Sequence, residues 1–163
     1  MLKRLLFAVV ATIFFVIQFN INSANAVELD KEIRTVKLNE QGDEIVLTNK
    51  QVKEGQDLFV SSCTYCHKAG NTKTNPNINL GADALANAEP PRDNIQGIVD
   101  YLKHPTTYDG EQDIFEFHPN TTRSDLYPIM RNLTDEDLEA IAGHILIQPD
   151  VRGEAWGGGK AYF

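Results

Sequence analysis

Cys63 and Cys66, the only two cysteines of the chain, stand in the segment "SSCTYCHKAG" with His67 directly after them. C-x-x-C-H is the spacing that attaches a c-type haem: two thiols add to the porphyrin vinyl groups and one imidazole reaches the iron. The competing chemistry is zinc, which requires four ligands, and no second cysteine pair is present to complete a set. With both sulfurs in thioethers, no disulfide remains possible. The motif therefore predicts one covalently bound haem c, held by Cys63 and Cys66, with His67 as one axial ligand.

Four residues compete for the opposite axial position: Met130, His104, His118 and His144. Met130 stands in "YPIMRNLTDEDL", just ahead of a well-signalled last helix, where a thioether would favour ferrous iron and raise the potential. A lone methionine also serves as a flexible core filler. His144 falls inside the last helix and reads as a packed, hydrogen-bonded histidine. His104 ends a helix ahead of Pro105, where an imidazole meets the helix dipole. His118, in "FEFHPN", follows apolar Ile114, Phe115 and Phe117, and a histidine buried there needs a partner such as iron. On position alone, His118 and Met130 are evenly matched.

The elements that must position these groups can be read from periodicity and caps. "RTVKLNEQGDEIVLT" alternates apolar and polar residues around a turn-rich centre and predicts a β-hairpin. Thr48 and Gln51 form a capping box, and Val52, Gly55 and Phe59 share one face of the helix that follows. Asp93 with Gln96 is expected to cap a second helix whose stripe is Ile95, Ile98, Val99 and Leu102, stopped by Pro105. Thr134 with Asp137 caps a third, with Leu133 and Leu138 as a hydrophobic staple and Pro149 as its end. The passage from Thr106 to Asn132 carries no regular pattern. So long a loop in a small domain implies a cofactor lining it.

The first 26 residues read as a signal peptide: Lys3 and Arg4, an apolar run from Leu5 to Ile17, then small residues at Ala24 and Ala26. The apolar run is too short to span a bilayer comfortably. Residues 27–163 are then one domain, divided into an N-terminal arm and hairpin (27–48), a haem-binding core (49–149) and a C-terminal tail (150–163). The whole chain carries a formal charge of −8 and its leader holds only basic charges, so the exported part is more acidic still. Such a surface repels phosphate backbones and argues against nucleic acid as a partner.

A helix before the haem motif, long loops, and a capped helix behind a methionine resemble a class I cytochrome c. The resemblance implies a mainly α fold in which first and last helices cross, with Gly55 and Phe59 on one side and Gly143 and Ile141 as candidates on the other. "TKTNP" at Thr72, "PPRDNI" at Pro90, "HPTTYDGEQ" around Tyr108, "MRNLTDEDL" and the tail "WGGGKAYF" together are similar to the extrinsic c-type cytochromes of photosystem II, the PsbV family. The resemblance implies bis-histidine iron with His118 as second ligand, Met130 left to packing, and a low potential. It also implies a non-enzymatic subunit on the lumenal face of the thylakoid membrane that stabilises the manganese-calcium cluster and its chloride and calcium requirement. Partners would be the core reaction-centre and inner antenna proteins and other extrinsic subunits. In the family the tail reaches toward the core complex, which makes Trp156, Lys160 and Tyr162 candidate contacts. The alternative is a diffusible class I electron carrier with Met130 on the iron.

Overall fold

The computed structural model describes residues 28–158; the expected signal peptide, Lys160 and Tyr162 lie outside them. Strands β1 (Thr35–Lys37) and β2 (Glu44–Val46) pair antiparallel, with Val36 opposite Ile45. Four α-helices follow: α1 (Asn49–Ser62), α2 (Ala82–Ala86), α3 (Ile95–Lys103) and α4 (Asp135–Arg152). Short 3-10 turns at Lys68–Gly70, Pro128–Met130 and Gly153–Ala155 punctuate the loops. The architecture is mainly helical with a small hairpin, as the resemblance implies.

Local chemistry accounts for the helix boundaries. Thr48 caps α1 through a complete capping box with Gln51, and Thr134 does the same for α4 with Asp137. Each cap satisfies N–H groups that a helix start otherwise leaves without partners. Helix α3 begins one residue later than its sequence suggests. Asn94, fully buried, accepts from the Gly97 N–H and is the cap, while Asp93 turns outward to pair with Lys37 on the hairpin. Helix α4 also outlasts Pro149 and runs to Arg152. A proline forfeits the bond its own nitrogen would donate and crowds the carbonyl one turn back, yet the next turn closes with Gly153 N–H bonding to the Pro149 carbonyl. The five-residue α2 carries no apolar periodicity that would announce it.

The core forms where α4 crosses α1 and then packs on α3 and the hairpin. Phe59, Leu138, Ile141, Ala142 and Ile147 are all at most 3 % exposed. Burying each of the larger ones removes enough apolar surface to contribute about 1.5–3 kcal/mol. At the crossing the backbones nearly touch: a Cβ on Gly55 would lie 2.0 Å from the Ala140 carbonyl oxygen and 3.1 Å from His144 Cβ. The partner of Gly55 is therefore the Ala140–His144 face. Gly143, expected at the crossing, instead receives Leu47 of the hairpin, whose methyl would stand 2.8 Å from an added Cβ.

That contrast gives a test. Gly55→Ala drives a methyl into a backbone carbonyl that cannot move aside and should cost at least about 1–3 kcal/mol. Gly143→Ala meets only a flexible leucine tip and should cost less. Denaturant unfolding of the two purified variants beside the parent protein measures the difference; equal losses would remove Gly55 from its special position.

Candidate functional site

Between α1, the loop after it, α3 and the passage from 106 to 119 lies a largely apolar cavity of about 580 Å³. Cys63, Cys66, His67 and His118 all border it, as do Met130, Tyr101 and Arg92. The C-x-x-C-H segment continues directly from α1 as a tight turn. Cys66 and His67 N–H groups both bond to the Cys63 carbonyl, at 3.1 and 2.9 Å, which brings both sulfurs and the imidazole to one wall. Gly70 then reverses the chain at φ +77°, a left-handed conformation glycine adopts without strain. The Trp156 ring lies against it, 2.8 Å from where a Cβ would be.

Trp156 locks this turn from the far end of the chain. Its indole N–H donates to the Leu80 carbonyl at 2.8 Å, the next N–H, Gly157, donates to Ala69 O, and its ring packs 5.5 Å from Phe59. At 4 % exposure it is an internal anchor and not the outward contact expected of the tail.

His118 is placed by backbone turns: its N–H and that of Phe117 both bond to Ile114 O. Asn120 fixes the loop from inside. Fully buried, it donates to Phe115 O and His118 O at 3.0 and 2.8 Å and accepts from Arg123 N–H at 2.7 Å.

The two imidazoles face each other with ring centroids 6.1 Å apart. At that spacing the two rings could hold a metal ion between them. Burial holds His67 below the ordinary histidine range, and burial with the neighbouring His67 pushes His118 down to about 4. Both rings are therefore neutral at pH 7, the form that donates to a metal. His67 Nδ1 lies 3.3 Å from the Thr72 hydroxyl, which can fix its tautomer. His118 Nδ1 is buried without a hydrogen-bond partner. Burial and then the adjacent Cys66 push the Cys63 thiol up to about 12, so it rests protonated against the cavity. Two neutral imidazoles, two thiols on one wall and apolar surroundings fit a covalent haem ligated from both sides.

The other candidates fall elsewhere. Met130, 2 % exposed, borders the cavity from within the hydrophobic core. His104 is exposed and meets the Phe115 ring edge-on at 6.2 Å. His144 is buried between Phe59, at 5.0 Å, and Trp156, at 6.0 Å, with Nδ1 3.4 Å from Gln148 Nε2. Sequence reasoning missed Thr72, Tyr101 and Arg92. Tyr101 packs 4.8 Å from His118, and the Arg92 guanidinium covers the Tyr101 ring at 3.9 Å. Thr72 and Arg92 stand in the segments "TKTNP" and "PPRDNI", and Tyr101 falls one turn of α3 beyond Ile98; those positions are the signals that could have pointed to the cavity.

The family model for the cytochrome c-550 domain matches residues 27–163. Photosystem II extrinsic protein V of Nostoc punctiforme is 58 % identical over 163 residues, covering all of both chains. That of Aphanothece halophytica is 57 % identical over 162 residues, 99 % of each chain. The crystal structure of a cytochrome c549 superposes with a TM-score of 0.77 at 53 % identity, covering 78 % of this chain and 99 % of that one.

Two outcomes follow from the geometry. Asn120→Ala strips three backbone groups of their partner and should cost about 2–4 kcal/mol in chemical denaturation. His144, pushed down to about 4 by burial and then by the Arg152 charge, is held neutral in the fold. Its contribution is complete above pH 6.5 and is lost as pH falls from there toward 4, amounting to about 2–3 kcal/mol at pH 4.5. Unfolding curves at pH 7 and 4.5 should show that His144→Leu loses less stability on acidification than the parent; an identical loss would contradict the assignment.

Proposed function

Because the chain belongs to the cytochrome c-550 family, we propose that it is a low-potential, single-haem subunit bound to the lumenal face of photosystem II. There it stabilises the manganese-calcium cluster and its chloride and calcium requirement. Cys63 and Cys66 would carry the haem c through thioethers, and His67 and His118 would hold its iron. The observation that carries this reading is the pair of neutral, half-buried imidazoles 6.1 Å apart across a cavity that both cysteines border. Full-length similarity to proteins named photosystem II extrinsic protein V supplies the assembly.

The haem, when bound, supplies one-electron chemistry. The chain's own residues determine how far that chemistry is used. Two imidazoles stabilise ferric iron better than an imidazole and a thioether do, so the potential is low. With both faces closed, no position is left for oxygen or peroxide, and the protein is not an enzyme. Met130 keeps its place in the core packing, which disfavours the diffusible-carrier alternative. A signal peptide over residues 1–26 delivers residues 27–163 to the thylakoid lumen. Similarity to extrinsic proteins supports peripheral attachment, and no helix among the described residues is long and apolar enough to cross a membrane. The acidic surface docks on basic loops of the core reaction-centre and inner antenna proteins, beside other extrinsic subunits.

The test pairs a spectrum with a binding assay. The ferric holoprotein should lack a methionine-to-iron charge-transfer band and titrate at a negative midpoint, and His118→Ala should become high-spin and bind cyanide rapidly. Photosystem II membranes stripped of extrinsic proteins should regain oxygen evolution at low chloride when the parent protein is added back. A methionine band in the parent protein would overturn the ligand assignment, and failure to restore activity would overturn the assembly.

A further inference from the structure

Arg92 is the one formally charged side chain among the residues that line the cavity. It is 8 % exposed, and no carboxylate pairs with it among the described residues: the five ion pairs there involve other cations. Its Nη2 makes neutral hydrogen bonds alone, donating to Thr106 O at 3.4 Å, Thr106 Oγ1 at 3.2 Å and Thr107 O at 2.9 Å. Its Nε is buried and donates to nothing. The flat of the guanidinium rests on the Tyr101 ring, which adds cation–π attraction but no counter-charge.

A cation in such a place is unstable by itself. Burial penalises the charged form, yet a guanidinium remains protonated at any pH at which the protein folds. Buried charges persist where they are paired, and an unpaired one next to an apolar cavity calls for an anion inside it. The group's orientation narrows the choice. Nη2 is pinned to the 106–107 backbone and one face is taken by Tyr101, which leaves the in-plane Nε–H as the buried donor without a partner. An in-plane N–H of a guanidinium is the geometry that receives a carboxylate oxygen.

Resting on the haem reading above, the geometry points to Arg92 as the counter-charge site for a propionate carboxylate of the porphyrin, received at Nε with Thr106 and Thr107 holding the fork in place. The pair does two things. It neutralises one propionate inside the protein, and it orients the macrocycle edge relative to the tilted Tyr101–His118 pair. Removing the cation leaves that carboxylate uncompensated beside the haem, which favours ferric over ferrous iron.

The test uses the ferric and ferrous holoprotein, with resonance Raman spectra and a redox titration of Arg92→Gln and Arg92→Lys. The propionate bending band should shift in Arg92→Gln, and the ferric-to-ferrous ratio should rise at least tenfold at fixed potential, a fall of 59 mV for one electron. Arg92→Lys keeps the charge without the fork: its band should shift, while its midpoint stays closer to the parent. A propionate band unmoved in Arg92→Gln overturns the proposal, even where the midpoint falls, because the cation then acts through space without touching a carboxylate. Should Arg92→Gln fail to fold, the Raman band of Arg92→Lys decides the matter in the same way. Axial ligation is read from the parent protein's own spectrum, so failure of the His118 assignment is seen separately.

Discussion

The rest of the molecule depends on the contact between α1 and α4, where Gly55 lets the Ala140 carbonyl come to where a side chain would stand. Helices with ordinary side chains between them keep axes about 8–10 Å apart; a missing Cβ allows closer approach. The approach places Phe59, one turn on from Gly55, against both His144 and Trp156. It thereby fixes the C-terminal end of α1, from which the C-x-x-C-H turn springs. The attachment wall of the cavity is thus set by a backbone contact two turns away, and Trp156 closes the same turn from the other end of the sequence. Nothing in the motif itself could hold its direction, since Cys66 and His67 lean on one carbonyl.

The opposite wall is built on another principle. From Thr106 to Leu133 the chain has one 3-10 turn, a single bridge between Thr106 and Asp113 and scattered turns, so backbone bonds satisfy only part of its polar groups. Buried polar side chains serve others. Asn120 bonds three backbone groups around His118, Arg92 bonds two carbonyls and a hydroxyl at 106–107, and the Tyr108 hydroxyl donates to Ala84 O. A loop held by a few side chains can follow the outline of a flat, non-protein group more freely than a helix can. The cost is that each pin matters, because a lost partner leaves buried donors and acceptors exposed to no water.

These two ways of building explain what could be read from the sequence. Caps at Thr48 and Thr134 and the stripe of α3 are local, and both capping boxes are present as the residues suggest. The hairpin register is likewise a matter of alternation. Asp93 was displaced as a cap because a tertiary partner, Lys37, competes for its carboxylate while Asn94 can bury. Pro149 misled for a related reason: proline breaks one hydrogen bond, and the apolar surroundings of Ile145 and Ile147 outweigh it. The cysteines and both histidines of the cavity carry motif or family signals. Thr72 and Arg92 stand in segments that carry the family resemblance, but their roles at the cavity, like that of Tyr101, come from neighbours distant in the chain. The family resemblance implies an outward Trp156, whereas the feature that decides its burial is the Gly70 surface, 86 positions earlier.

Charge is distributed in a way that separates two properties of the protein. The exterior is acidic and solvated, and at physiological ionic strength its field decays over about 8 Å. It acts on encounter and docking, and salt weakens it. The cavity holds the opposite sign in Arg92, buried where screening is weak and pinned so that it cannot swing away. A charge there acts on whatever redox group the cavity receives, and salt in the medium barely reaches it. Substitutions on the acidic surface can therefore change partner affinity without changing the potential. Substitutions around Thr106, Thr107 and Arg92 should do the reverse. The fold keeps the two apart by placing the polypeptide between them: the α1–α4 crossing behind one wall, and the pinned loop in front of the other.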